Sequence, residues 1–243
     1  MSNTACRSVR VWDLPTRLFH WINFLSILSL IFLGMIMLFK KDLGITSLEA
    51  RIALKELHVL VGYVFVLNLL WRIVWGFMGN RYARWKNILP GKGFAATLKG
   101  YMEAMKQGEP QTWAGHNPLG RLAVTFILLL MLVLSVSGLI RAGTDIYYPP
   151  FGGSIAAWVA APGVAPESIK PYDKTGMDEQ KAASLKSFKG PFGEIHKLTA
   201  YILMAMILLH IFFVIFADAK EKNGLISAMF TGRKFLEKPA VDE

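Results

Sequence analysis

Four long, almost uncharged runs dominate the chain: Leu18 to Phe39, Leu57 to Met78, Leu122 to Ile140 and Leu198 to Ala217. Each holds about 20 residues, enough at 1.5 Å per residue to cross a hydrocarbon core of roughly 30 Å. Hydrophobic residues make up 53% of the 243 residues and mean hydropathy is +0.39, which argues against a soluble domain. The prediction is an all-α membrane protein, a four-transmembrane-helix bundle with helices at about 18–39, 57–78, 120–141 and 195–217. No internal repeat or second folded domain is evident, so residues 1–243 are read as one integral membrane domain.

The first run exceeds a normal signal-peptide core and is followed by Lys40, Lys41 and Asp42 in place of a small-residue cleavage site. It is read as a retained anchor. The only cysteine is Cys6, so there is no disulfide framework and no C-x-x-C-H for covalent haem attachment.

The distribution of Lys and Arg sets the expected orientation. The N-terminus, the connection from Gly79 to Leu119 and the C-terminal tail, taken with Arg72 and Arg121, hold 16 of the 27 basic and 8 of the 17 acidic residues. The other side holds 11 and 9, so both termini are placed in the cytoplasm of a bacterium. The basic residues read as membrane-boundary anchors, and no nucleic acid is expected as a partner beside the lipid itself.

In the cytoplasmic connection, Phe94, Leu98, Tyr101, Met102 and Met105 recur at helical spacing opposite Lys99, Glu103 and Lys106. That pattern suits an interfacial helix or a plain loop helix. The tail segment GLISAMFTGRKFL has a similar look but is short. The long periplasmic loop, residues 142–194 between the third and fourth helices, is read either as a lid and docking surface or as a simple joining loop.

Four of the five histidines fall in or at the edge of the apolar helices, where ionisable groups usually mark function. By depth, His20 in the first helix pairs with His210, and His58 in the second with His196. The interval from His196 to His210 is 14 residues, close to four turns, so both face one side of the fourth helix, about 21 Å apart. One metal ion cannot bridge that distance, and zinc or copper would need further ligands. Two bis-histidine sites can each be completed by a macrocycle, with one axial ligand from each of two facing helices. At the same phase, Arg72 follows His58 by 14 residues and suits a haem propionate. Gly34 follows His20 by 14 and would let a porphyrin approach the backbone. Arg72 could instead snorkel to the interface. His116, in GHNPLGRL, is read as a loop or capping residue ahead of a quinone or proton-transfer role.

The segments VRVWDLPTRLFHWINF, GHNPLGRL and GEIHKLTAYILMAMILLHIF resemble the bacterial cytochrome b561 family, which includes the b-type cytochrome subunits of nickel–iron hydrogenases. The similarity covers essentially the whole chain. It implies a bundle holding two non-covalent b-type haems, passing electrons between the quinone pool and a periplasmic redox protein such as a c-type cytochrome or a hydrogenase or reductase subunit. The family's ligand pattern falls on His20, His58, His196 and His210, with His20 and His210 on the cytoplasmic-side iron and His58 and His196 on the periplasmic-side iron.

Basic residues near these depths are candidates for propionates or a quinone head group: Arg17, Arg72 and Arg121 on the cytoplasmic side, and Arg51, Lys55, Arg141 and Lys197 on the periplasmic side. An alternative is a quinone oxidoreductase whose periplasmic haem reacts directly with a small oxidant or reductant such as superoxide, drawn in by Arg51, Lys55 and Lys197. A proton-coupled transporter or a passive anchor is a third reading, but it leaves the matched depths of the histidines unexplained.

Overall fold

The computed structural model describes residues 7–109, 111–221 and 223–243; Cys6 lies outside the described residues. Four helices are long and apolar enough to cross a membrane: α1 (Leu14–Leu38), α2 (Leu48–Met78), α5 (Pro118–Ile146) and α7 (Glu179–Glu221). Between and after them come α3 (Trp85–Ile88), α4 (Phe94–Lys106), α6 (Gly152–Val159), a 3₁₀ turn (Pro166–Ser168) and α8 (Ala228–Thr231). β1 (Arg7–Arg10) and β2 (Arg233–Leu236) form an antiparallel pair, with Arg7 opposite Leu236 and Arg10 opposite Arg233.

All four long helices begin before their apolar windows, because polar caps set the starts. Asp13 accepts from the Thr16 amide at 3.0 Å, Ser47 from Ala50 at 3.2 Å, Asn117 from Gly120 at 2.8 Å and Asp178 from Lys181 at 3.0 Å. These side chains satisfy amide donors that a first helical turn leaves open. Pro118, at the first helical position of α5, donates no amide hydrogen there in any case. The largest difference is α7. It starts 16 residues ahead of the expected 195, carries Pro191 inside it, and at 1.5 Å per residue is roughly 65 Å long. Residues 179–194 are polar helix, invisible to a hydropathy window, and they shorten the connection after α5.

The chain divides into two compact units. Unit 1 comprises Met1–Asn23, Asn68–Leu129 and Met204–Glu243; unit 2 comprises Phe24–Leu67 and Leu130–Leu203. Each long helix contributes a segment to both. In unit 1, Val11, Trp12, Ala114, Ala228 and Leu236 form a buried cluster around the β1–β2 pair. The tail segment turns into β2 instead of continuing as a helix, because Gly232 takes φ 78° and its carbonyl accepts from the Val11 and Trp12 amides at 2.8 and 3.2 Å. A Cβ there would stand 2.5 Å from the Trp12 carbonyl oxygen. In unit 2, Ala156, Val159, Ala160, Ile169 and Leu185 tie α6 and the 3₁₀ turn to the first part of α7, so the long connection has a core of its own.

The membrane-crossing helices keep large apolar side chains exposed, among them Leu25, Phe32, Leu67, Leu129, Leu208 and Phe212. Such surfaces suit lipid. The segment expected as an amphipathic helix is α4, whose Tyr101 is buried while Met102 and Met105 stay exposed.

Candidate cofactor site

In unit 2, α2 and α7 present His58 and His196 to one another. Their ring centroids are 6.4 Å apart and the ring planes are inclined at 69°. Gly34 of α1 faces this pair, and a Cβ on it would lie 3.9 Å from His58 Cε1. On α5, Gly138 is closer: a Cβ there would stand 3.3 Å from His196 Cε1. Ser137, itself 2% exposed, has its Oγ 2.9 Å from His196 Nδ1. His58 Nδ1 is buried with no hydrogen-bond partner.

In unit 1, His20 of α1 has His210 of α7 as its electrostatic neighbour, and its buried Nδ1 also has no partner. The Trp21 indole stands edge-on to His20 at 5.3 Å and donates to the Met229 carbonyl at 3.1 Å, while Asn68 of α2 donates to the Phe19 carbonyl at 3.0 Å. The structure thus brings His58 and His196 face to face and gives His20 an electrostatic neighbour in His210.

Charged groups flank both pairs. In unit 2, Asp145, 8% exposed, receives Lys55 at 2.7 Å, Arg141 at 2.6 Å and Lys189 at 3.0 Å. Arg141 is packed so tightly on Gly193 that a Cβ there would clash with the guanidinium. The Tyr172 ring lies 5.5 Å from the Arg51 guanidinium and 5.2 Å from the Lys55 ammonium. Lys197 stands apart from this cluster: it is half-exposed and paired with Glu194 at 2.7 Å.

In unit 1, Arg72 is 4% exposed and does not snorkel. It donates to the Ala83 carbonyl at 3.0 Å and stacks 4.6 Å from the Trp85 ring, with Nη1 buried and unpartnered. Gly76 makes room for that Trp85, since a Cβ would fall 2.1 Å from its ring. Arg17 donates to the Phe230 carbonyl and leaves Nε buried without a partner. Arg121 is engaged by the Ile88 and Leu89 carbonyls, which fixes the end of α3 against α5.

His116 is more buried than a simple loop residue. Its ring lies 4.8 Å from that of Trp12, beside a cavity of about 80 Å³ that is also lined by Arg81, Tyr82, Asn87, Trp113 and Asp242. Burial pushes the imidazole down to about 3, helped by the nearby Lys234, Arg72 and Arg121 charges.

Among the described residues no group of three or more His, Cys, Asp or Glu side chains could hold a metal ion. Two histidines alone leave coordination positions open, which a cofactor that brings its own metal ligands would fill. Metal–imidazole bonds of about 2.0–2.1 Å put the ring centroids roughly 6 Å apart across one metal. The His58–His196 spacing suits that arrangement, so these two residues would hold the iron of a haem.

The family model for prokaryotic cytochrome b561 matches residues 11–232. The chain belongs to the prokaryotic cytochrome b561 family. It is 24% identical to a probable Ni/Fe-hydrogenase B-type cytochrome subunit of Rhizobium leguminosarum bv. viciae, over 95% of this chain and 90% of that one. A protein of the same description from Azotobacter vinelandii is 24% identical over 93% and 88% of the two chains. A probable Ni/Fe-hydrogenase 1 B-type cytochrome subunit of Escherichia coli (strain K12) is 30% identical over 139 residues, 53% of this chain and 57% of that one. No solved structure matches.

As a member of the cytochrome b561 family the chain is a membrane protein of electron transfer that carries haem b. In a cytochrome the unpartnered Arg72 Nη1 and Arg17 Nε are notable, because buried guanidinium donors ordinarily find acceptors. Sequence reasoning places Ser135, Ser137 and Gly138 on the third helix as a buttress beside the cofactors, and it misses Asp145 and Lys189. Lys189 falls in the stretch read as loop, although it lies on α7.

Proposed function

We propose that this cytochrome holds two b-type haems, one between His20 and His210 and one between His58 and His196, and conducts electrons across a bacterial inner membrane. The observation that carries the proposal is the facing of His58 and His196 at 6.4 Å from two different helices, with His20 and His210 paired in the other unit. Haem iron supplies the one-electron step. The chain binds and orients the cofactors: the helices aim the imidazoles, Gly34 and Gly138 leave room beside the rings, and Arg72 and Arg17 offer donors to propionates. Lys55, with Arg141 and Lys189 around the Asp145 carboxylate and Arg51 over the Tyr172 ring, keeps positive charge beside the His58–His196 pair. Lys197, paired with Glu194, is a weaker propionate partner and belongs to the boundary.

In this reading both termini are cytoplasmic, the His58–His196 haem lies toward the periplasm, and electrons pass between a periplasmic redox protein and membrane quinone. The names of the relatives support a hydrogenase-type partner, and the excess of basic residues in the terminal and middle segments supports the orientation. The test is a reduced-minus-oxidised spectrum with haem extraction. Two haems per chain are expected, with one lost in His58→Ala and the other in His20→Ala. A haem count unchanged in either variant sinks the pairing.

The cationic cluster in unit 2 also favours a second reading, direct reaction of a small anion such as superoxide at the His58–His196 haem. Stopped-flow mixing of the oxidised protein with superoxide, without a protein partner, distinguishes the two: prompt haem reduction supports direct reaction.

A further inference from the structure

We propose that Ser137 is a positioning residue that fixes the tautomer of His196 and lowers the reduction potential of one haem relative to the other. The inference rests on the reading that His58 and His196 hold a haem. The Ser137 hydroxyl has one hydrogen, and the Val133 carbonyl takes it at 2.7 Å with Leu134 beyond at 3.3 Å. Its lone pairs are then left to accept from His196 Nδ1 at 2.9 Å. That arrangement puts the imidazole proton on Nδ1, which leaves the Nε2 lone pair for iron. Gly138, the next residue, completes the seat, because its missing Cβ gives the ring edge space.

A ligand imidazole that donates its second N–H to oxygen becomes a more basic ligand. More basic axial nitrogen favours ferric over ferrous iron, so the hydrogen bond lowers the potential. His58, across the same site, and His20, in the other unit, have no such acceptor: the Nδ1 of each is buried without a partner. Of these three imidazoles only His196 carries the device, and it makes the two haems unequal in a direction that can be measured.

The experiment is an optical redox titration of the purified holoprotein in wild-type, Ser137→Ala and Ser137→Thr forms, with haem counted by extraction. In Ser137→Ala one of the two one-electron transitions is expected to rise by about tenfold in the reduction equilibrium, 59 mV, while the other stays in place. Ser137→Thr, which keeps a hydroxyl, restores the wild-type value. Loss of a single haem in Ser137→Ala that Ser137→Thr retains also supports the positioning role. Two unchanged potentials with both haems retained overturn it, as do equal shifts in both transitions or haem loss in both variants. A haem count left unchanged by His58→Ala would instead show that the histidine pairing is at fault.

Discussion

Lys55 Nζ lies 2.7 Å from Asp145 Oδ2, so a residue one turn before His58 on α2 is tied to the carboxyl-terminal end of α5. Arg141 and Lys189 close on the same carboxylate, and Lys189 also donates to the Thr144 carbonyl at 3.2 Å. Asp145 is the common anchor of α2, α5 and α7. Asp145→Ala leaves three cations without their anion, and Asp145→Asn removes the charge at nearly constant shape. A broken buried pair costs about 3–5 kcal/mol, and the partial exposure of Arg141 and Lys189 reduces this to roughly 2–3 kcal/mol. The expected outcome is a thermal midpoint lower by about 5–10 °C in detergent for both variants, with the larger loss in Ala. A midpoint within a degree of wild type would show that solvent replaces the anchor.

Arg72 offers the clearest test of cofactor electrostatics in unit 1. Its guanidinium is buried on Trp85 with Nη1 unpartnered, and a positive charge there favours the reduced state of a nearby haem. Arg72→Leu is expected to lower the potential of the haem proposed at His20 and His210 and leave the other transition in place. Arg72→Lys restores the charge without the planar stack on Trp85, so it recovers the potential in part and loses thermal stability. Redox titration beside a melting curve reads both effects.

The four long helices were legible because hydropathy is a long-range regularity, and the fourteen-residue interval puts His196 and His210 on one face of α7. Helix starts were less so. A hydropathy window passes over Asp13, Ser47, Asn117 and Asp178, although each is a residue type that caps helices, and the sequence Asp178, Glu179, Gln180 and Lys181 could have placed the start of α7. Asp145 looked like one acid among many, because its three partners come from α2, α5 and α7 and no local pattern joins them. The β1–β2 pair was equally hidden, being built from segments more than 220 residues apart.

The tail that follows β2 holds the loop before α5. Asp242 accepts from the Ala114 and Gly115 amides at 2.7 and 2.8 Å, and the Val241 amide donates to the Thr112 carbonyl at 2.9 Å. Removal of residues 237–243 frees those amides and opens the cavity beside His116. The expected result is rapid modification of His116 by an imidazole reagent in the truncated protein and slow modification in the full chain. Asp242→Asn, which keeps an acceptor, stays close to the full chain. Equal rates in full and truncated forms would deny the tail this role.

His116 also sets a pH dependence with a definite sign. Burial holds its imidazole at about 3 against an ordinary 6.5, so the folded chain keeps it neutral while an unfolded chain takes up a proton below 6.5. A group depressed on folding contributes stability that is whole above the unfolded value and is lost as pH falls toward the folded one. Asp13 behaves in the same sense at lower pH. Burial alone would raise its carboxyl, but hydrogen bonds from Thr16, Asn80 and Trp75 outweigh it and hold the group below 3.8. The thermal midpoint is therefore expected to be steady above pH 7 and to fall from pH 6.5 down toward 3, with a further loss below pH 4. His116→Gln should make the fall between pH 6.5 and 4 shallower and leave the lower one, whereas Asp13→Asn should make only the lower one shallower. A wild-type midpoint that is constant from pH 7 to 4.5 would mean that His116 is protonated in the folded state.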